Sequence, residues 1–216
     1  MDIINEIQNK FIEKIYIVES LNLDDIEHGR NEGNALNSAL ILANLNSKYF
    51  NVTSQVELAN CFEDIAIDIE TLNGLKIPIP YLHFSLHGNE YGISLTNDDF
   101  IKWEDLREGL LILNHRVKPV NSFGKLGSRF FLSMSVCKGI NAKKMFIQTE
   151  QLNPFSVLVG PTVNVDWADS LVAYTTYFHN LLYKKSQLRE AVERMNHAAG
   201  IGNIFEIFLD LNLRLM

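Results

Sequence analysis

The 216-residue chain is 47% apolar, enough for a sizeable core in one large domain. Its 19 Lys and Arg against 26 Asp and Glu leave a net charge of -7, and no dense basic run tracks a phosphate backbone, which argues against direct nucleic-acid binding. Two cysteines, Cys61 and Cys137, are too few for a disulfide framework and lack the Cys/His spacing of a zinc site, so both are expected as reduced thiols.

The opening MDIINEIQNKFIEK lacks the basic start and continuous apolar stretch of a signal peptide. No run approaches the ~18 apolar residues of a membrane helix, so the expectation is a cytoplasmic protein without a membrane partner. Residues 11–20, FIEKIYIVES, cluster β-branched and aromatic residues as a strand does, and GNALNSALILANLNSK at 33–48 spaces Leu and Ile as a helix does. A second short strand is expected at YFNVTS, 49–54, then a helix through residue 73 with Ser54 as N-cap and Glu57 three residues on. IPYLHFSLH, 79–87, is apolar or aromatic on both faces, as befits a central strand covered on each side. NEYGISLTNDDFIKW suggests a small hairpin, and EDLREGLLILNH a helix with an acidic start. RFFLSMSVCKG holds another central strand, from Arg129 to Val136. FSVLVGPT, 155–162, precedes a long helix over 166–184 and another over 186–199, the latter with Ser186 and Glu190 as its start signal. The tail alternates Leu209, Leu211, Leu213 and Leu215, which predicts an edge strand. The fold class that follows is α/β: a mainly parallel central sheet with helices on both faces, in one domain over residues 1–216.

In such sheets ligands collect beyond the carboxyl ends of the strands. Two strands end in chemistry there, one at His87 and Gly88, the other at Cys137, Lys138 and Gly139. If these strands are neighbours, a spacing of about 5 Å brings imidazole and thiol to one peptide bond. Only the thiolate is a strong nucleophile, and an imidazole can take its proton and later protonate a leaving amine. Gly88 permits close approach of a substrate, and its N–H with that of Cys137 is suited to hold an oxyanion. Gly139 is expected to allow a tight turn behind the nucleophile, and Lys138 either to lower the thiol pKa or to point to water.

Asp166 and Asp169 follow the strand that ends at Gly160. Carboxylates there suit an Arg or Lys side chain, but Asp166 also suits the N-cap of the long helix, the commoner role. His83 lies four strand positions before His87, ~13 Å away, too far to share a metal, and reads as a packed histidine. His28, His115, His179 and His197 fall on loops or helix ends without partners at ligand spacing, and Cys61 reads as a small buried thiol. No G-x-S-x-G elbow, phosphate loop, G-x-G-x-x-G or H-E-x-x-H is present, which narrows the field of competing enzyme classes.

The strand ending LHFSLHG, the hairpin and WEDL segment at 103–106, and SVCKG with its cysteine 50 residues after the histidine resemble the caspase-like cysteine peptidases. This clan includes caspases, metacaspases and separases, and the likeness is closest to its bacterial CHAT-domain group. The later order of FSVLVG, an aspartate and a helix holding YFHNLLYK extends it over roughly residues 75–210. The resemblance implies a caspase-like three-layer sandwich and a cysteine endopeptidase, with His87 as general acid–base, Cys137 as nucleophile, a thioester acyl-enzyme and no cofactor. Ser135 stands where metacaspases usually carry an acidic residue for a basic substrate side chain, which makes it a candidate substrate contact. Caspases carry Gln-Ala before the cysteine where this chain has Ser135 and Val136, so neither specificity transfers. Bacterial relatives of this kind sit in antiviral or cell-death pathways beside a sensor, which implies a protein substrate and a regulatory partner acting in trans. The competing class of function is a non-catalytic caspase-like module that holds a partner protein in the same groove.

Overall fold

Residues 11–74, 76–116, 130–147 and 153–209 are described by a computed structural model. FIEKIYIVES forms β1 (Phe11–Ser20), its second half fully buried. A short helix that hydrophobic spacing does not reveal, α1 (Leu23–Glu27), follows at once, capped by Asn22, whose side chain accepts from the Asp25 N–H. The next helix, α2 (Glu32–Leu42), ends well before residue 48, because Asn44 takes φ 55° and the Leu45 N–H turns back to the Leu40 carbonyl. The released residues supply the start of β2 (Ser47–Asn51). α3 (Gln55–Asn73) begins as expected: Ser54 accepts from the Glu57 N–H, while the Glu57 carboxylate accepts from the N–H and hydroxyl of Thr53.

β3 (Ile77–Asn89) runs past His87 into the predicted hairpin of β4 (Gly92–Ser94) and β5 (Phe100–Lys102), which leads into α4 (Trp103–Arg116). After β6 (Phe131–Ser135) come a 3-10 segment at Gly139–Met145 and β7 (Val157–Pro161). α5 (Trp167–Phe178) stops short of residue 184 in a wider π turn over His179–Tyr183, where the Asn180 amide donates to the Thr176 carbonyl. α6 (Leu188–Ala199) has Gln187 rather than Ser186 at its N-cap, and the Ser186 N–H is spent on the Asn180 carbonyl. β8 (Phe205–Leu209) is the predicted edge strand in part; Leu211, Leu213, Leu215 and the predicted strand start at Arg129 lie outside the described residues.

The sheet order is β2-β1-β3-β6-β7-β8, parallel throughout except for β8, which pairs antiparallel with β7. Alternate residues feed two cores. Tyr16, Val18, Leu82, Phe84, Leu86, Leu132 and Met134 pack with α3 and α4 on one face. Ile15, Ile17, Tyr81, Val157 and Val159 pack with α2, α5 and α6 on the other. The result is an α/β fold with three layers, and no helix among the described residues is long and apolar enough to cross a membrane.

The α5 side of the sheet also carries a buried polar stripe. The paired positions His83↔Ser133 and Ser85↔Ser135 lie on it, and Glu19 stands opposite Ser85 from β1. His83 Nδ1 bonds the Ser133 hydroxyl at 2.9 Å, and its ring packs on Tyr174 and Phe178, so the histidine is a core residue. Glu19 accepts from the Gly33 N–H at 2.6 Å, anchoring the start of α2, and from the Tyr49 hydroxyl at 2.6 Å. The Ser85 hydroxyl bridges Glu19 and Glu32.

Burial raises the Glu19 carboxyl above its ordinary range; hydrogen bonds from Tyr49 and Gly33 pull it back, and the charge of Glu32 adds to the rise. The folded state therefore keeps a proton that the unfolded chain releases above about pH 4, and stability falls as pH rises through that window. Glu19→Gln is expected to flatten this part of the pH–stability profile in urea titrations, and an unchanged slope would exclude Glu19 as its source. In the same assay Ser54→Ala is expected to lower stability by about 1 kcal/mol through loss of the α3 cap.

Candidate active site

The chain goes from β1 outward to β2, then crosses back to lay β3 on the other side of β1, which makes the carboxyl ends of β1 and β3 a topological switch point. Four segments converge there. The cap and body of α1 bring Asn22 and Asp25, β3 brings His87, the end of β6 and the turn after it bring Ser135 and Cys137, and the start of α5 with the connection before it brings Val165, Asp166 and Trp167. Together they line a cleft of about 720 Å³.

Parallel register aligns the expected pair. Ser85 pairs with Ser135, and two residues further along stand His87, still within β3, and Cys137, in the turn just past the end of β6. The side-chain period of two keeps His87 on the face of Ser85, with α5, whereas Cys137 is presented from the turn that follows β6. Both line the cleft. Among the described residues no hydrogen bond joins them: the Cys137 thiol donates to the Val165 carbonyl at 3.9 Å.

His87 is held from a residue that the strand pattern does not point to. Its Nε2 meets the Asp25 carboxylate and lies 3.1 Å from the Asn22 amide nitrogen, while its ring stands edge-on to Trp167, centroids 5.1 Å apart. Asp25 is 1% exposed and accepts at its other oxygen from the Trp167 indole at 3.0 Å and from Arg30 at 3.1 Å. Burial pushes the Asp25 carboxyl upward, but the hydrogen bonds from His87 and Trp167, the charge of His87 and the Arg30 bond outweigh it and hold the group below the ordinary carboxylate range. An ionised Asp25 accepts a proton-bearing Nε2 and leaves Nδ1 as the basic nitrogen. One local signal for this residue is present in NLDD at 22–25: an Asn N-cap with an acid three residues on, directly past a strand's carboxyl end.

The glycines act through packing. A Cβ on Gly88 would come within 2.5 Å of the Gly92 carbonyl oxygen and 2.6 Å of a Val136 methyl, so the residue is small because β4 and the residue just past β6 crowd it. Gly88 pairs with Ile93 and is not among the cleft-lining residues. Behind Cys137 the turn is made by Lys138, with φ 58°, rather than by Gly139, which instead lets the chain pass against Met134 and Gly160. Lys138 directs its ammonium to Glu90 at 3.1 Å, not to the thiol.

The remaining candidates all reach the cleft. Ser135 is buried at its base, and Asp166 and Asp169 line its α5 side. Asp166 occupies the N-cap position of α5 yet makes no side-chain cap hydrogen bond, so the capping role expected for it is not the one it plays. Cys61 is 4% exposed on α3, and burial, with a smaller contribution from Asp64, pushes its thiol up to about 12.

Because the Asp25 carboxyl is depressed, its contribution to stability is present above about pH 4 and is lost as pH falls through its lower folded value. At neutral pH the His87 ring is therefore expected as the Nε2–H tautomer when uncharged, readable by long-range nitrogen–proton NMR correlations. Asp25→Asn should replace that single pattern with a mixture of tautomers, whereas an unchanged pattern would mean that Asp25 does not orient the ring.

No protein-family model matches this sequence and no curated protein matches it, so the chemistry assigned to the cleft stands on its geometry.

Proposed function

We propose that the chain is a cysteine endopeptidase of caspase-like type, acting on a protein substrate with Cys137 as nucleophile and His87 as general acid–base. The observation that carries this reading is the equivalent placement of His87 and Cys137 past paired positions of adjacent parallel strands, in one cleft, with the imidazole oriented by buried Asp25. Proton transfer from Sγ to His87 Nδ1 generates the thiolate, which attacks the scissile carbonyl. The C–N bond then breaks as the imidazolium protonates the departing amine. Water, deprotonated by the same imidazole, cleaves the thioester and restores the thiol. The Cys137 N–H lies past the last paired residue of β6 and suits the oxyanion; Gly88 is the second donor in this reading, though its place opposite Ile93 ties it to the hairpin. Asp25 acts as a positioning residue.

The Val165 carbonyl, which occupies the thiol, supports regulation by a partner in trans: moving the 162–166 connection would release Cys137 towards His87. The same contact favours the second reading, a non-catalytic module that binds a partner protein through the cleft.

Iodoacetamide separates the two. Cys61 is the internal control, buried and with a raised pKa. The peptidase reading expects Cys137 to be alkylated faster than Cys61, with His87→Ala removing most of that advantage. Equally slow labelling of both thiols would favour the binding module. On a peptide library Cys137→Ala is expected to abolish turnover and His87→Ala to lower it by about 10²–10⁴-fold.

A further inference from the structure

Within the cleft, charge and hydrogen bonding are unevenly satisfied. Arg30 donates to Asp24 at 2.9 Å and to Asp25 at 3.1 Å, so the cleft's one arginine is already engaged. On the α5 side, the carboxylates of Asp166 and Asp169 have no hydrogen bond or ion pair among the described residues. Beneath them lie two hydroxyls, Ser135 from β6 and Ser170 from the first turns of α5. They are 2% and 1% exposed, line the cleft, and have unpartnered oxygens. A buried hydroxyl without a partner is destabilising, and a ligand able to donate hydrogen bonds offsets that cost. Val163 and Ile204 add apolar wall to the same cleft.

We infer that this side of the cleft is a pocket for a long basic side chain, Arg or Lys, of the substrate segment cut by Cys137. The inference rests on the peptidase reading. A lysine or arginine buries its methylene stem against apolar wall while its cationic head donates to carboxylates and hydroxyls. Asp166 and Asp169 supply the charge, and Ser135 and Ser170 supply neutral acceptors deeper in. An acidic side chain would meet the unpaired carboxylates with its own charge, and an aliphatic one would leave both hydroxyls unpartnered.

The test uses three peptidyl acyloxymethyl ketones identical except for Arg, Leu or Asp next to the reactive ketone. The thiolate forms a C–S bond as the C–O bond to the carboxylate leaving group breaks, and intact-mass spectrometry with peptide mapping reads labelling at Cys137. The Arg reagent is expected to label at least about tenfold faster than the other two, the scale of one charge-assisted hydrogen bond. Asp169→Asn should lower the Arg-to-Leu rate ratio by a similar factor, and Ser170→Ala serves as the second variant. Labelling by the Leu or Asp reagent as fast as by the Arg reagent, or an Arg advantage that survives both substitutions, would overturn the pocket and leave the peptidase reading standing. Failure of all three reagents to label Cys137 would overturn both.

Discussion

The lateral register of β3 on β6 is the constraint on which the site depends. Pairing of Ser85 with Ser135 fixes which residues of the two strands stand level, and the side-chain period of two then fixes which face they share. A slip of one residue would turn Ser85 and Ser135 to opposite faces and move His87 relative to the end of β6 from which Cys137 follows. The register is held on both sides of the sheet: Leu82, Phe84, Leu132 and Met134 are buried under α3 and α4, while the His83–Ser133 hydrogen bond ties the same two strands beneath α5.

That hydrogen bond belongs to a polar stripe that an apolar core would not need. Glu19, Glu32, His83 and Ser85 are all buried, and Glu32 Oε1 and His83 Nε2 lie 3.9 Å apart without a hydrogen-bond partner. Removing such groups from water is unfavourable unless they are fully paired. Their arrangement has a structural consequence. Glu19 reaches from β1 to the start of α2 and Ser85 connects it to Glu32 on that helix, so the stripe fixes how the segment after β1 leaves the sheet. The same segment carries Asn22, Asp25 and Arg30. Polar burial in the middle of the sheet and orientation of His87 at its rim are thus parts of one network.

At the rim, electrostatics divides the cleft into two halves. On the β1 side Asp24, Asp25, Arg30 and His87 satisfy one another, which favours a rigid, preorganised imidazole. On the α5 side the side chains of Asp166, Asp169, Ser135 and Ser170 are left unpartnered among the described residues. Trp167 joins the halves, since its indole bonds Asp25 while its neighbours face the open side. The cleft thus sets a hydrogen-bonded imidazole beside side chains that keep free acceptors.

The order of most strands and helices, the capped start of α3, the hairpin after β3 and the two central strands that lead to His87 and Cys137 were legible in the chain, because each is written in local periodicity, capping residues or turn chemistry, although β3 runs on to Asn89 and β6 stops at Ser135. Helix ends were less so: α2 stops where Asn44 takes a left-handed conformation, and α5 widens into a π turn where Asn180 bonds the preceding turn, neither of which alters the apolar pattern. The partnership of His87 with Asp25 was beyond local reading, since 62 residues separate them and only the return of β3 beside β1 brings them together. The sequence by itself determined which residue types arrive at the sheet's carboxyl edge. Only the tertiary structure decided which of them meet and which are left unpaired, because strand order and register are settled by packing across the whole sheet.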